Sequence, residues 1–148
     1  MLKNSAVNTA SFRFCKAQRD YSAARQFLEA GQYDAAIDRA FLCMFHAARA
    51  LLFYDNIDLK KPDDVIRSFH DQYILQSYHD PRLCEMFEQA KTIRSSGIFS
   101  DDYLAHVETA KQQVKNAEYF LEATGTISGR RLALEYEVKN CLEDSGVD

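Results

Sequence analysis

Tryptophan is absent from the 148 residues, and turn formers are scarce, with 5 glycines and 2 prolines. A sheet with many hairpins needs such residues at each reversal, so their scarcity excludes a hairpin-rich β fold and favours long helices with few connections. No apolar run approaches the roughly 20 residues that span a bilayer, and no apolar core follows a basic start, so neither a membrane span nor a secretory leader is expected. The cysteines, Cys15, Cys43, Cys84 and Cys141, lie far apart without the CxxC or Cys/His spacing of a zinc site. They read as small apolar fillers in a reducing cytoplasm. Metal ligands are missing too: His46 has no partner one turn further on, and His70, His79 and His106 are scattered, so neither metal nor cofactor is expected. Nor is there an excess of positive charge. With 18 Lys and Arg against 22 Asp and Glu, the net charge is -4 and the pI about 5.6. Proteins that grip nucleic acid through its phosphates are usually basic, so any such role must rest on a local patch or a partner.

What is present is a chain 47% hydrophobic and 27% charged, long enough to bury roughly 68–70% of its unfolded surface as one domain. Residues 1–148 are expected to form a single helical domain, with a core over about 9–124 and an extension over about 125–148. A first helix over 9–30 has Phe14, Ala17, Tyr21, Ala24 and Leu28 at three- and four-residue steps, and Gly31 stops it. A second, over 33–54, follows so closely that the two form an antiparallel hairpin. Pro62, with Asp63 and Asp64, starts a third helix to about 76, carrying Val65, Ile66, Phe69 and Tyr73. Asp80-Pro81 starts a fourth, burying Leu83, Phe87, Ala90 and Ile93 and fraying at Ser95-Ser96-Gly97. Ser100 caps a fifth, with Asp101 and Asp102 in its first turn and a regular apolar stripe from Tyr103 to Leu121. TGTISG, 124–129, is expected to break it before an add-on helix over 130–144. The fold class is all-α, an up-and-down bundle of four to five core helices plus that C-terminal helix. GQYDAAIDRA has the look of a tetratricopeptide repeat, but nothing echoes it about 34 residues on.

The stretch DRAFLCMFHAARALLFY, 38–54, is almost wholly apolar yet holds Arg39, His46 and Arg49. On a helical wheel, Asp38, Arg39, Leu42, His46, Arg49 and Phe53 share an arc of roughly 100°, while the rest of the helix is apolar. An arc that mixes charge with Leu42 and Phe53 suits a groove or subunit interface, where the charges must find partners. Arg39 and His46 lie on nearly one line, about 10.5 Å apart along the axis, too far for a direct bond but able to converge on one phosphate or carboxylate. Asp38 is a candidate partner for Arg49, across turns or across a two-fold axis. Read blandly, His46 is an interfacial histidine and Arg39 an ion-pair partner. Lys60-Lys61 and Arg130-Arg131, the paired basic residues, read as solvated surface. Asp101, Asp102 and Tyr103 read as a helix cap and its seal.

The run AAIDRAFLCMFHAARALL resembles the second-helix signature of HEPN domains, in their small stand-alone prokaryotic branch with an RAYYAMFHAARALL-like core. LEAGQYDAA is similar to that family's first-hairpin turn and VIRSFHDQYI to its third helix. IRSSGIFSDDY with AKQQVKNAEYFLEA resembles its Arg…Asp-Tyr element and last helix. The resemblance covers about 15–124 and implies a four- to five-helix bundle that forms a homodimer, often beside a nucleotidyltransferase partner. It further implies a binder of nucleotide or RNA, or a metal-independent ribonuclease of the toxin–antitoxin or defence type. Such enzymes use an Arg-x(4–6)-His pair across the dimer: His helps deprotonate a ribose 2′-OH and Arg stabilises the phosphoryl transition state. Here Arg39 and His46 meet that spacing on the second helix, whereas Arg94 is followed by SSGIFSDDY and reaches only His106. The catalytic candidates are therefore Arg39, His46, Arg94 and His106. Asp38, Leu42, Arg49, Phe53, Asp102 and Tyr103 are candidates for binding or interface. The expected role is a dimeric binding module, with the ribonuclease as its alternative.

Overall fold

The computed structural model describes the backbone over 4–96 and 102–144, and side chains over 5–96 and 102–133. It is all-α, without strands among the described residues: α1 (Asn4–Glu29), α2 (Tyr33–Phe53), α3 (Pro62–Phe69), α4 (Arg82–Ser96) and α5 (Tyr103–Asp144). α2 is the central element, packed against each of the others. That position explains its composition, since Ala36, Ile37, Ala40, Phe41, Met44, Ala47, Ala48 and Leu51 are all buried.

Local signals act where the residues put them. Gly31 takes φ 73, and the amides of Gly31 and Gln32 donate to the carbonyls of Leu28 (3.1 Å) and Phe27 (2.8 Å), closing α1 and reversing the chain. Pro62 opens α3. Asp80 Oδ1 accepts from the Arg82 amide at 3.0 Å and so caps α4. α3 then widens into a π-helical turn, His70–Leu75, which periodicity did not foretell. Four rings join the helices in the core: Phe69–Phe120 at 5.5 Å, Phe87–Phe120 at 5.6 Å and Phe41–Phe87 at 6.1 Å between centroids. Cys43 and Cys84 are buried, and burial pushes their thiols up to about 12 and about 11, which suits inert filling. Cys15 is exposed. The side chain of Cys141 lies outside the described residues, as do Ser100 and Asp101.

The expected break at TGTISG does not occur. α5 runs through 124–129 unbroken, so the C-terminal helix is its continuation. The hydroxyls that suggested a turn bond back along the helix, Thr124 Oγ1 to the Phe120 carbonyl (2.7 Å) and Thr126 Oγ1 to that of Glu122 (3.0 Å). Ile127 is buried in the main core, and the Ser128 hydroxyl meets that of Tyr54 at 2.9 Å. Burial of this face outweighs the weak helix propensity of two glycines, about 1 kcal/mol each.

A Cβ at Gly125 or Gly129 would meet nothing within 4 Å, and neither takes a positive φ. Gly125→Ala and Gly129→Ala should therefore each raise stability by about 0.5–1 kcal/mol in denaturant unfolding; a loss from either would contradict the unbroken helix. Gly31→Ala should lower it by about 1 kcal/mol, because the left-handed backbone resists a Cβ although space is free.

Candidate functional site

α1 approaches α2 closely because the residues it turns inward are small: Ala10, Ala17 and Ala24 recur every seven positions, each 0% exposed. Three residues beyond Ala17, and so on the same side of the helix, this spacing sets Asp20 in the seam, 7% exposed. A carboxylate buried there needs counter-charge, and α2 supplies it. Arg39 Nη1 donates to Asp20 Oδ1 at 3.1 Å, and His46 Nε2 stands 3.6 Å from Oδ2. The two residues do converge on one carboxylate, which belongs to α1. The Arg39 side chain is 44% exposed and that of His46 19%, so the group reaches from the seam to the surface.

Burial holds the His46 imidazole below its ordinary pKa of 6.5; Asp20 opposes that shift, while Lys16, Arg49 and Arg13 add to it. Its Nδ1 is buried and unpartnered among the described residues, and Nε2 is the nitrogen that faces Asp20. The same strip continues through a second acid. Asp58 Oδ1 accepts from Arg13 (2.9 Å) and Arg49 (3.1 Å). Arg13 also lies over Phe53, 4.7 Å from its centroid, and Arg49 over Phe45 at 5.6 Å. Leu42 is half-buried against the core. Thus α1 and the loop after α2 cover much of the mixed arc, and Arg49 pairs with Asp58 while Asp38 turns elsewhere.

Arg94 and His106 are not drawn to Asp20. Arg94 Nε donates to Asp38 at 2.6 Å and its guanidinium lies 4.7 Å from the Phe41 centroid. His106 Nε2 is 2.6 Å from Asp34 Oδ1, with Nδ1 buried and unpartnered among the described residues. Asp34 and Asp38 are one turn apart on α2, so α4 and α5 are each pinned to its first half. Tyr103, 65% exposed, meets Tyr33 edge-on at 6.0 Å, and Tyr33 meets His106 at 6.3 Å. Asp102 accepts from the Ala105 amide at 3.2 Å, a capping bond. Asp20, Asp34, Asp58 and Arg13 escaped the sequence reading. Asp20 alone left a trace there, as an acid set three beyond one buried alanine and four before another.

Among the described residues, no three His, Cys, Asp or Glu side chains are grouped to hold a metal ion, and no helix is long and apolar enough to cross a membrane.

The molecule is thus a helical bundle with a buried acid between its first two helices, on which the arginine and histidine of the second converge. The HEPN domain profile matches residues 10–127, and the chain belongs to that family. "Putative toxin MJ0142" of Methanocaldococcus jannaschii is 30% identical over 106 residues, covering 72% of this chain and 67% of that protein. "Putative toxin MJ0605" of the same organism is 27% identical over 106 residues, covering 72% and 78%. The "UPF0332 protein PH1297" of Pyrococcus horikoshii is 35% identical, covering 47% of this chain and 58% of that protein.

Asp20→Asn removes the one charge that opposes the depression of His46, so the His46 pKa should fall further below 6.5 in an NMR titration. A rise would contradict the contact. In the wild type the unfolded chain binds the His46 proton more readily. Its stabilising contribution is therefore full above pH 6.5 and declines as the pH falls towards the lower folded value.

Proposed function

We propose that this chain is a HEPN toxin that cleaves RNA without a metal, using Arg39 and His46 organised by Asp20. The observation that carries the reading is the shared carboxylate: buried itself, it holds a guanidinium and an imidazole seven residues apart, of which the guanidinium reaches the surface. Burial holds the His46 imidazole below its ordinary pKa, the direction that favours the unprotonated form a general base requires. His46 Nε2 takes the proton of a ribose 2′-OH, and the freed oxygen attacks the adjacent phosphorus. A 2′,3′-cyclic phosphate forms, the bond to the 5′-oxygen breaks, and that oxygen takes a proton from water, to which His46 then returns the one it took. Asp20 stabilises the transient imidazolium, and Arg39 neutralises the growing phosphoryl charge. Lys16, exposed on α1, adds positive charge beside His46, whereas Arg13 and Arg49 are mostly buried and paired with Asp58. The names of the two archaeal relatives support a toxin role. A homodimer that brings two such strips together belongs to this reading.

A second reading, a dimeric binding module for a nucleotidyltransferase or for nucleotide or RNA, is favoured by one feature. Arg94 and His106, the late pair, are both tied into ion pairs that brace the bundle. Co-purification with the product of a neighbouring nucleotidyltransferase frame, with no RNA cut, would favour it.

Purified protein incubated with RNA tests the first reading. His46→Ala should slow cleavage by about 10²–10⁴-fold, the usual contribution of general acid–base catalysis. Arg39→Ala should slow it by about 10²-fold or more. Arg94→Ala should act mainly on stability. RNA left intact by the wild type, or cut equally by all three variants, sinks the proposal.

A further inference from the structure

Away from the Asp20 cluster, a cavity of about 290 Å³ opens between the π-helical turn, the end of α2 and the far part of α5. Its floor is a closed polar network. Arg131 Nη1 donates to Asp55 Oδ1 and to the Tyr73 hydroxyl, both at 2.8 Å, and the Tyr73 oxygen lies 3.0 Å from Asp55 Oδ2 and 2.9 Å from the Leu51 carbonyl. Tyr73 is 3% exposed, and Arg131 also lies over Tyr54 at 5.2 Å. The arginine pair read from sequence as solvated surface is thus half built into the fold.

The floor leaves positive charge over. Asp55 is answered by Arg131, whereas Arg130 lines the cavity with no ion pair or hydrogen bond among the described residues. Gln72, Ser77 and His79 line the other side and offer neutral polar groups. The His79 ring stacks on Tyr73 at 6.1 Å, and burial, with Arg130 adding to it, holds its imidazole below the ordinary value.

The backbone around this wall is irregular twice over. The π-helical turn, His70–Leu75, widens the helix beside Tyr73, and such turns gather at functional sites. Tyr78, between Ser77 and His79, takes φ 55 while 88% exposed. A bulky side chain in the left-handed region is strained, and no packing of its ring repays that here. The strained segment is tied down by the His79 amide, which donates to the Tyr73 carbonyl at 2.9 Å, and by Ser77 Oγ, which donates to that of Gln72 at 2.7 Å.

We propose that this cavity is a second ligand site, separate from the Asp20 cluster, that takes a phosphate monoester. Arg130 and Arg131 face the dianion, and the Gln72 amide and the His79 imidazole donate to its oxygens. The volume is near the low end of ligand pockets and suits a free phosphate or the phosphate end of a small ester such as a nucleotide.

Calorimetric titration of the full chain with inorganic phosphate, a nucleoside 5′-monophosphate and the matching nucleoside tests this. Saturable binding of phosphate and monophosphate, and none of the nucleoside, is expected. Equal affinities for the two phosphates place recognition in the phosphate alone. Tighter binding of the monophosphate extends it to the ester. Arg130→Gln should weaken binding by about tenfold or more, one charge-assisted contact's worth, without moving the melting temperature, since Arg130 is exposed and unpaired. The proposal is overturned if neither phosphate saturates the wild type below about 10 mM, if the nucleoside binds as well as its monophosphate, or if Arg130→Gln leaves binding unchanged. Loss of binding in Arg39→Gln with Arg130→Gln unaffected also overturns it, by moving the ligand to the Asp20 cluster. RNA cleavage is not the readout, so the outcome is independent of the function proposed above.

Discussion

A carboxylate out of water between two helices is the constraint on which the rest of this molecule turns. Asp20 is tolerable only because α2 brings a guanidinium to hydrogen-bond distance and an imidazole beside it. The arrangement needs α1 and α2 to be close, which the inward alanines allow, and in register, which the Gly31 reversal sets. Those same restraints group an acid, an imidazole and a guanidinium in one place. Burial lowers the pKa of the histidine, the acid beside it is bonded to the arginine, and the arginine reaches out to the surface.

The first half of α2 has a different task. Asp34 and Asp38 receive His106 from α5 and Arg94 from α4. Arg94 and His106 are thus each held in an ion pair with α2. Their aspartates are on α2, far from them in sequence, and no local pattern marks such partnerships. Charge on a packed helix has to be satisfied, and the nearest opposite charge in space decides its role.

Membership of the HEPN family accounts for the bundle and for the second-helix signature. It does not choose between a protein that binds and one that cuts, because fold and function are separable. That choice depends on how one carboxylate, one imidazole and one guanidinium are disposed at a surface.

Much of the architecture was legible in the chain. Apolar residues at three- and four-residue steps marked the helices, Gly31 and Pro62 their punctuation, and the mixed arc of α2 a face that had to be covered. These are local properties, set by backbone geometry and by which residues avoid water. The break expected at TGTISG was also a local reading, and it failed because Ile127 and Ser128 face the core and their burial exceeds the cost of two glycines. Which acid meets Arg39 and His46, why Arg94 and His106 part company, and how Arg131 comes under Tyr73 and Asp55 were decided by tertiary structure alone. Each joins residues that the chain keeps far apart, and attraction between charges depends on distance in space rather than on position in sequence.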